Sequence, residues 1–365
     1  MNFKVHVSNT TEEKSWDKNL LKNKVSSIYQ STNWSKIYEK FHGSKPFFIL
    51  VESPTGEIVG QLSALIHNRY YWKDAHPISK VIGPKLNLVT ILQWNYGPII
   101  HDIHNQDEIL SDLVKTIDDI AIKNKVTMIR GSSSPLSAQL NSGLFGKLNY
   151  QIQHWATYIT DLNNNKDGIY NKLDKKTRYD IRKSEKNQLE FEIVSKRTQL
   201  DEFEKMKVHA KKEVGERTWK NKFFDFHWKF LYEEGLERVL LVKHDGKPIG
   251  GILALIFNGN VVQHGVVNLP HTTHPLGGSF LTWNAFKWSI EMKYLTYDMG
   301  GVNPIPKSEK DKQIDFYKSK WAGKKFDYVQ YVKIFDKTKL KISSILKHPT
   351  KIGRKLNHFL RTIDE

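Results

Sequence analysis

Two tandem α/β (α+β) domains, each a mixed sheet flanked by helices, are the fold class this sequence predicts. Three observations carry the expectation. The chain has 365 residues, too many for one ordinary core and comfortable for two. FILVESPTGEIVGQLSALI (residues 48–66) aligns without a gap on RVLLVKHDGKPIGGILALI (residues 238–256), with Gly56/Gly246, Gly60/Gly250 and both Ala-Leu-Ile triplets identical. The segments after the two copies are also parallel in kind: a helix-patterned stretch, then a short strand, then a loop.

Each copy of the repeat reads as apolar strand, glycine-containing turn, apolar strand, which is a hairpin. In the first half DEILSDLVKTIDDIAIKNK (107–125) has helical periodicity and VTMIRG (126–131) reads as the strand after it, leading to SSSP. In the second half GGSFLTWNAFKWSIEMK (277–293) leads to YLTYDMGG (294–301) and VNP. The spacing predicts that Leu281, Ala285, Trp288 and Met292 share one helix face packed on a sheet. The polar DLNNNKDG (161–168) suits a connecting loop. The expected organisation is an N-terminal domain at 1–160, a second domain at 161–335 and a basic helical tail at 336–365.

Composition narrows the function. Lys and Arg number 56 against 39 Asp and Glu, a net charge of +17, which fits an anionic partner such as nucleic acid, a phosphorylated substrate or an acidic membrane face. There is no cysteine, so disulfides, thiolate nucleophiles and Cys-ligated zinc are excluded. The opening MNFKVHVSNTTEEK lacks the apolar core of a signal peptide, and runs such as IGGILALIF (249–257) are about half a membrane span. A cytoplasmic chain is the expectation. The basic tail either lies on an anionic membrane surface or packs as a terminal helix, and the second is expected.

The second half carries residues that the first lacks. YDMGG (297–301) puts Asp298 at a strand end before two glycines that permit close backbone approach. FYKSKWAG (316–323) puts Lys318 in a basic and aromatic cluster, whereas IRGSSSP in the first half has neither acid nor lysine. One ornamented copy of a duplicated fold points to chemistry in the second half and support or binding in the first. A third stretch, DKKTRYDIRKSEKN (174–187), places Lys175, Arg178, Arg182 and Lys186 on one helix face. That face is either solvated surface or a receiver of phosphates, and its place just after the domain boundary favours phosphates.

These motifs resemble the Fem-type aminoacyltransferases of peptidoglycan bridge formation, within the GNAT-like acyltransferase superfamily. The resemblance runs from about Gln30 to Trp321. QSTNWSK (30–36) matches the family's Gln…Trp…Lys pattern, and KKTRYDIRKSEK (175–186) its Arg-x-x-Ile-Arg-Lys-x-x-Lys helix. YDMGG matches its Asp-x-Gly-Gly strand end, and YKSKWAG (317–323) its Phe-Lys-x-x-Trp/Phe-Gly-Gly segment. The resemblance implies two GNAT-like domains that transfer an amino acid from aminoacyl-tRNA to an amine of an anionic envelope precursor, with no metal or prosthetic group. It implies Lys318 as catalytic lysine, Tyr317 as its aromatic neighbour and Lys36 as a substrate-phosphate contact. Two positions depart from the family. Gln263 stands where it has a tyrosine, and no register preserves both its Arg and its Tyr near Arg217 and Phe223.

The chemistry is coherent without the family. An amine attacking an ester or thioester forms a tetrahedral oxyanion, which a cation such as Lys318 stabilises best in a water-poor cleft. Asp298 would take the amine's proton or orient Lys318. The alternatives are a surface lysine in a basic run and a strand-end cap. HTTH (271–274), flanked by prolines and without a carboxylate, reads as a loop. No G-x-G-x-x-G, G-x-x-x-x-G-K-[ST] or G-x-S-x-G occurs. LGGSF (276–280) opens a helix whose backbone N–H groups suit a phosphate, and in GNAT-like proteins the equivalent helix start can bind coenzyme A. The readings are therefore aminoacyl-tRNA-dependent transfer first, acyl-CoA- or acyl-carrier-dependent transfer second, and a non-enzymatic nucleic-acid-binding protein third.

Overall fold

The computed structural model describes residues 3–10, 13–68, 89–137, 142–163, 166–213, 222–269 and 276–347. The first half runs β1 (Lys4–Ser8), α1 (Glu13–Leu21), a 3-10 turn (Ile28–Gln30), α2 (Thr32–His42), β2 (Lys45–Glu52), β3 (Ile58–Asn68), β4 (Thr90–Gln93), β5 (Ile99–Ile100), α3 (Gln106–Lys123), β6 (Met128–Ser132), α4 (Ser142–Lys147) and β7 (Gln151–Asp161). The second half opens with α5 (Lys166–Lys172), α6 (Lys175–Ser184), β8 (Leu189–Ile193), α7 (Arg197–Glu213), α8 (Lys222–His227) and a π turn (Trp228–Tyr232). It continues with β9 (Glu237–His244), β10 (Lys247–Phe257), β11 (Asn260–Asn268), α9 (Gly277–Glu291), β12 (Thr296–Val302), α10 (Glu309–Ser319) and β13 (Lys324–Ile334), and α11 (Lys337–Lys347) comes last.

Both repeated hairpins form, β2 with β3 and β9 with β10, all antiparallel. Gly56 and Gly246 take φ of +83° and +70° at the two turns, a backbone region that glycine enters without steric cost. The nearly unbroken apolar run of β10 reflects burial on both faces. Ile252, Ala254 and Ile256 pack beneath α9, while Leu253, Leu255 and Phe257 enter a core on the opposite face. Each of the Ile, Leu and Phe side chains contributes about 1.5–3 kcal/mol on burial.

Among the described residues thirteen strands form one sheet, ordered β1-β2-β3-β4-β6-β13-β7-β12-β11-β10-β9-β8, with β5 on β3. The two halves exchange their last strands. β7 ends the first half in sequence but pairs with β12, and β13 ends the second half but pairs with β6. The exchanged strands then pair with each other along Lys324–Val332 and Gln151–Ile159. Burial joins the halves as well, since one core holds Trp16, Trp34 and Ile37 of the first half with Phe203, Phe224 and Leu253 of the second.

Three expectations need correction. Met292 is 54% exposed at the end of α9, so the buried face of that helix stops at Trp288. Lys186 lies beyond α6, which ends at Ser184 and leaves Lys175, Arg178 and Arg182 on the helix. Asp298 is not at a strand end: β12 runs on to Val302 through an irregularity in its pairing with β7 between Asp298 and Gly301. HTTH, Arg217 and the tail beyond residue 347 lie outside the described residues.

Candidate active site

Along β12 the side chains alternate. Tyr297 and Met299 face the core under α9, so Asp298 between them points to the other face. It is 4% exposed. Its Oδ1 accepts hydrogen bonds from the Thr157 hydroxyl on the exchanged strand β7 and from the Gly300 N–H at 2.8 Å. Burial pushes the carboxyl above the usual range, and the two hydrogen bonds and the Lys318 charge pull against that rise.

Gly300 joins the two candidate catalytic groups. Its N–H is held by Asp298, and its carbonyl accepts from Lys318 Nζ at 2.8 Å; Nζ also donates to the Gly301 carbonyl at 3.1 Å. Gly300 has φ +79°, and a Cβ there would stand 3.0 Å from the Gln263 carbonyl and 3.6 Å from Lys318 Nζ. The Gly-Gly pair is therefore required for this close approach. Two of the three ammonium protons are engaged, which leaves one N–H for a substrate oxygen. Burial lowers the Lys318 pKa to about 8, against a smaller raising effect of Asp298.

Tyr317 points elsewhere. Its hydroxyl lies 2.8 Å from Thr282 Oγ1 and donates to the Gly278 carbonyl at 3.2 Å, so it sits at the start of α9. Burial pushes its phenol up to about 12. Gln263 is buried, and its Oε1 accepts from Tyr297 OH at 3.0 Å, so its side chain is tied into the sheet. Lys36 stands on α2 with Nζ 3.4 Å from Asn33 Oδ1 and 5.9 Å from the centre of the Phe230 ring. Lys175 and Arg182 are exposed on α6, and Arg178 donates to the Asn171 carbonyl at 2.8 Å. The buried side of α6 is Thr177, Ile181 and Ser184. The fold thus brings Asp298, Gly300 and Lys318 together, with Tyr317, next to Lys318 on α10, turned toward the start of α9, while the basic face of α6 is outward.

Tyr29, Tyr96 and Tyr328 were not legible as site residues. Tyr29 and Tyr96 meet edge to face at 5.2 Å, and Tyr96 and Tyr328 at 5.6 Å. All three phenols feel the Asp298 charge, and burial, the larger cause, pushes them up, Tyr328 to about 12. Tyr96 has φ +49°, a strained conformation for a bulky residue. Gln30 buttresses the loop: fully buried, it donates to the Asn95 carbonyl at 2.8 Å and accepts from Ser63 N–H at 2.8 Å. Ser132 Oγ accepts from the Tyr96 N–H at 3.1 Å. The glutamine of QSTNWSK therefore shapes the site from behind. Its neighbour Tyr29 and the turn-forming NYGP (95–98) were the available signals.

Among the described residues no group of three or more His, Asp or Glu is placed to hold a metal, and no helix is long and apolar enough to cross a membrane.

Known proteins point the same way. Residues 171–318 match the family model described as an acetyltransferase (GNAT) domain. No curated protein matches the chain in sequence. Among solved structures the chain is similar to FemX, at 15% identity over 95% of this chain and 100% of that one, with a TM-score of 0.70. It is similar to a tandem GNAT protein from the clavulanic acid biosynthesis pathway, at 11% identity, 91% and 98% coverage and TM-score 0.56. It is also similar to the C-terminal domain of a putative lysylphosphatidylglycerol synthetase from Agrobacterium fabrum, at 12% identity, 92% and 97% coverage and TM-score 0.54. GNAT-type acyl transfer needs no cofactor beyond the donor substrate. The second half of the chain thus holds a stretch that matches a GNAT acetyltransferase domain model, within a fold like that of FemX and of the tandem GNAT protein.

Proposed function

We propose that the protein transfers an amino acid from aminoacyl-tRNA to an amine of a cell-envelope, peptidoglycan-like precursor. The observation that carries the reading is the Asp298–Gly300–Lys318 arrangement, a buried carboxylate and a half-buried ammonium held on the N–H and the C=O of one residue. The acceptor nitrogen attacks the acyl carbon, a C–N bond forms and the carbonyl π pair moves to oxygen. Lys318 donates its remaining N–H to that oxyanion, and Asp298 takes the proton released by the nitrogen. Collapse of the intermediate expels the donor's oxygen with its bonding pair, and that oxygen takes a proton. The likeness to FemX and the outward basic face of α6 support tRNA as donor.

A second reading has its own observation. The Tyr317 hydroxyl at the glycine-rich start of α9 also suits an acyl-CoA donor, whose thiol would leave in place of the ester oxygen. The test offers radiolabelled amino acids on total charged tRNA, and labelled acyl-CoA, to the protein with an envelope-precursor extract. Ribonuclease-sensitive label on an acceptor, lost in Lys318→Ala, supports the first reading. Transfer from acyl-CoA alone moves the assignment to the second. Salt-sensitive RNA binding with no transfer from any donor sinks both.

A further inference from the structure

The strand that carries Asp298 does not hold it alone. β7, which ends the first half in sequence, lies against β12, with Asp298 opposite Ile159 and Gly301 opposite Thr157. Between those pairs β12 spends Met299 and Gly300 against the single Tyr158, a bulge of one extra residue. Thr157 is then the diagonal neighbour of Asp298 across the two strands. It is fully buried, and its hydroxyl donates to the same Oδ1 that receives the Gly300 N–H.

The other face of β7 holds the helix that carries Lys318. Tyr158 OH donates to Asp315 Oδ1 at 3.1 Å, and Lys325 Nζ reaches the same oxygen at 3.2 Å. Thr160 Oγ1 donates to the Trp321 carbonyl at 3.0 Å, just past the end of α10. A short run of the first half therefore braces both candidate catalytic groups of the second.

The two oxygens of the carboxylate define what the Thr157 bond does. Both donors fall on Oδ1, and among the described residues none falls on Oδ2. With two donors on Oδ1 the carboxylate is fixed in rotation, and Oδ2 is the oxygen left with free lone pairs. An ionised carboxylate has no proton to give, so the hydroxyl can only donate, and that favours the charged form. Without it, one backbone N–H and the Lys318 charge would stand against the desolvation of the site.

We infer that Thr157 is a positioning residue for the transfer: its hydroxyl pins Oδ1 so that Oδ2 takes the proton of the attacking amine. The first half thereby supplies a working part of the second half's site. The inference rests on the acyl-transfer reading. As the C–N bond forms, the N–H bond breaks, and a lone pair of Oδ2 becomes the new O–H bond. The titratable groups facing Asp298 are Lys318 of α10, Tyr29 of the 3-10 turn, Tyr96 of its loop, Tyr328 of β13 and Tyr297 of β12 itself. Burial pushes all four phenols up, and Lys318 is protonated below about 8. None changes charge where a carboxylate titrates, so the acid limb of kcat/KM reports Asp298.

Thr157→Val keeps the branched shape that suits a strand and removes the donor, Thr157→Ala removes the same donor from a smaller side chain, and Thr157→Ser keeps it. In the Val and Ala variants the acid limb should move to higher pH, with kcat/KM lower by about tenfold on the limb and by less on the plateau. Thr157→Ser should stay within about twofold of wild type at every pH. A second readout needs no substrate. The infrared carbonyl stretch of the protonated carboxyl, assigned by its loss in Asp298→Asn, should appear at higher pH in Thr157→Val than in wild type or Thr157→Ser. A limb and a carbonyl titration unmoved by loss of the hydroxyl overturn the inference, and so does an equal shift in Thr157→Ser. A uniform loss of activity at every pH in both Val and Ala variants, with a broadened melt, assigns Thr157 to folding alone and also overturns it. Absence of transfer from every donor by the wild type defeats the acyl-transfer reading, while the infrared titration still decides whether Thr157 holds Asp298 in its charged form.

Discussion

Replacing Lys318 by Met separates catalysis from folding. The ammonium is held at about 8 against an ordinary 10.5, so keeping it charged at pH 7 costs the fold about 3 kcal/mol. Its bonds to the Gly300 and Gly301 carbonyls return about 1.5–3 kcal/mol each, and Gly301 is exposed enough for water to take over after the substitution. The opposing effects are similar in size, so the variant melts within about 4 °C of wild type. The oxyanion interaction has no such replacement. Its loss lowers kcat by about 10²–10³-fold. Steady-state transfer kinetics and a calorimetric melt on the same preparation make the comparison. Activity within about fivefold of wild type refutes the role of Lys318, and loss of the cooperative melt refutes the claim that its role is chemical.

The same geometry sets other outcomes. Gly300→Ala adds a left-handed strain of about 1–2 kcal/mol and a 3.0 Å approach to the Gln263 carbonyl; urea melts should show the loss, with a larger fall in kcat than in stability. An unchanged kcat would mean that the Gly300 peptide does not set the Asp298–Lys318 spacing. Gln30→Leu strands the Asn95 carbonyl and Ser63 N–H and should cost about 2–4 kcal/mol by chemical denaturation; a neutral result would mean that Tyr96 is held in place by other groups. Charge reversal of Lys175, Arg178 and Arg182 should flatten the salt dependence of RNA binding by about 0.7–0.9 in log–log slope for each phosphate no longer neutralised, and an unchanged slope would make that face plain solvated surface.

Much of the fold was legible because its signals are local. The hairpins are written in alternation and a turn glycine, and the duplication in identities such as Gly60/Gly250 that survive in both copies. The strand exchange was not legible, since the alternation along β7 and β13 marks a face but names no partner. The same fact hid half of the site. Asp298 and Lys318 stand in recognisable motifs, but Thr157 and Tyr328 reach Asp298 only because β7 and β13 have crossed, and Tyr29 and Tyr96 only because a shared core closes the halves on each other. Met292 was misplaced for a simpler reason: helical spacing continues on paper past the residue where α9 ends.

The pH dependence of kcat/KM for transfer tests the central claim most directly, that a buried carboxylate base and a half-buried ammonium act together. Asp298 must be ionised, and burial raises its pKa above the usual 3.8; Lys318 must be protonated, and burial lowers its pKa to about 8. The expected profile is a bell: activity rises with pH above the ordinary carboxylate range, falls above about 8, and loses its alkaline limb in Lys318→Arg, whose guanidinium stays charged. A profile that stays flat through pH 8, or an alkaline limb unmoved by Lys318→Arg, would contradict it.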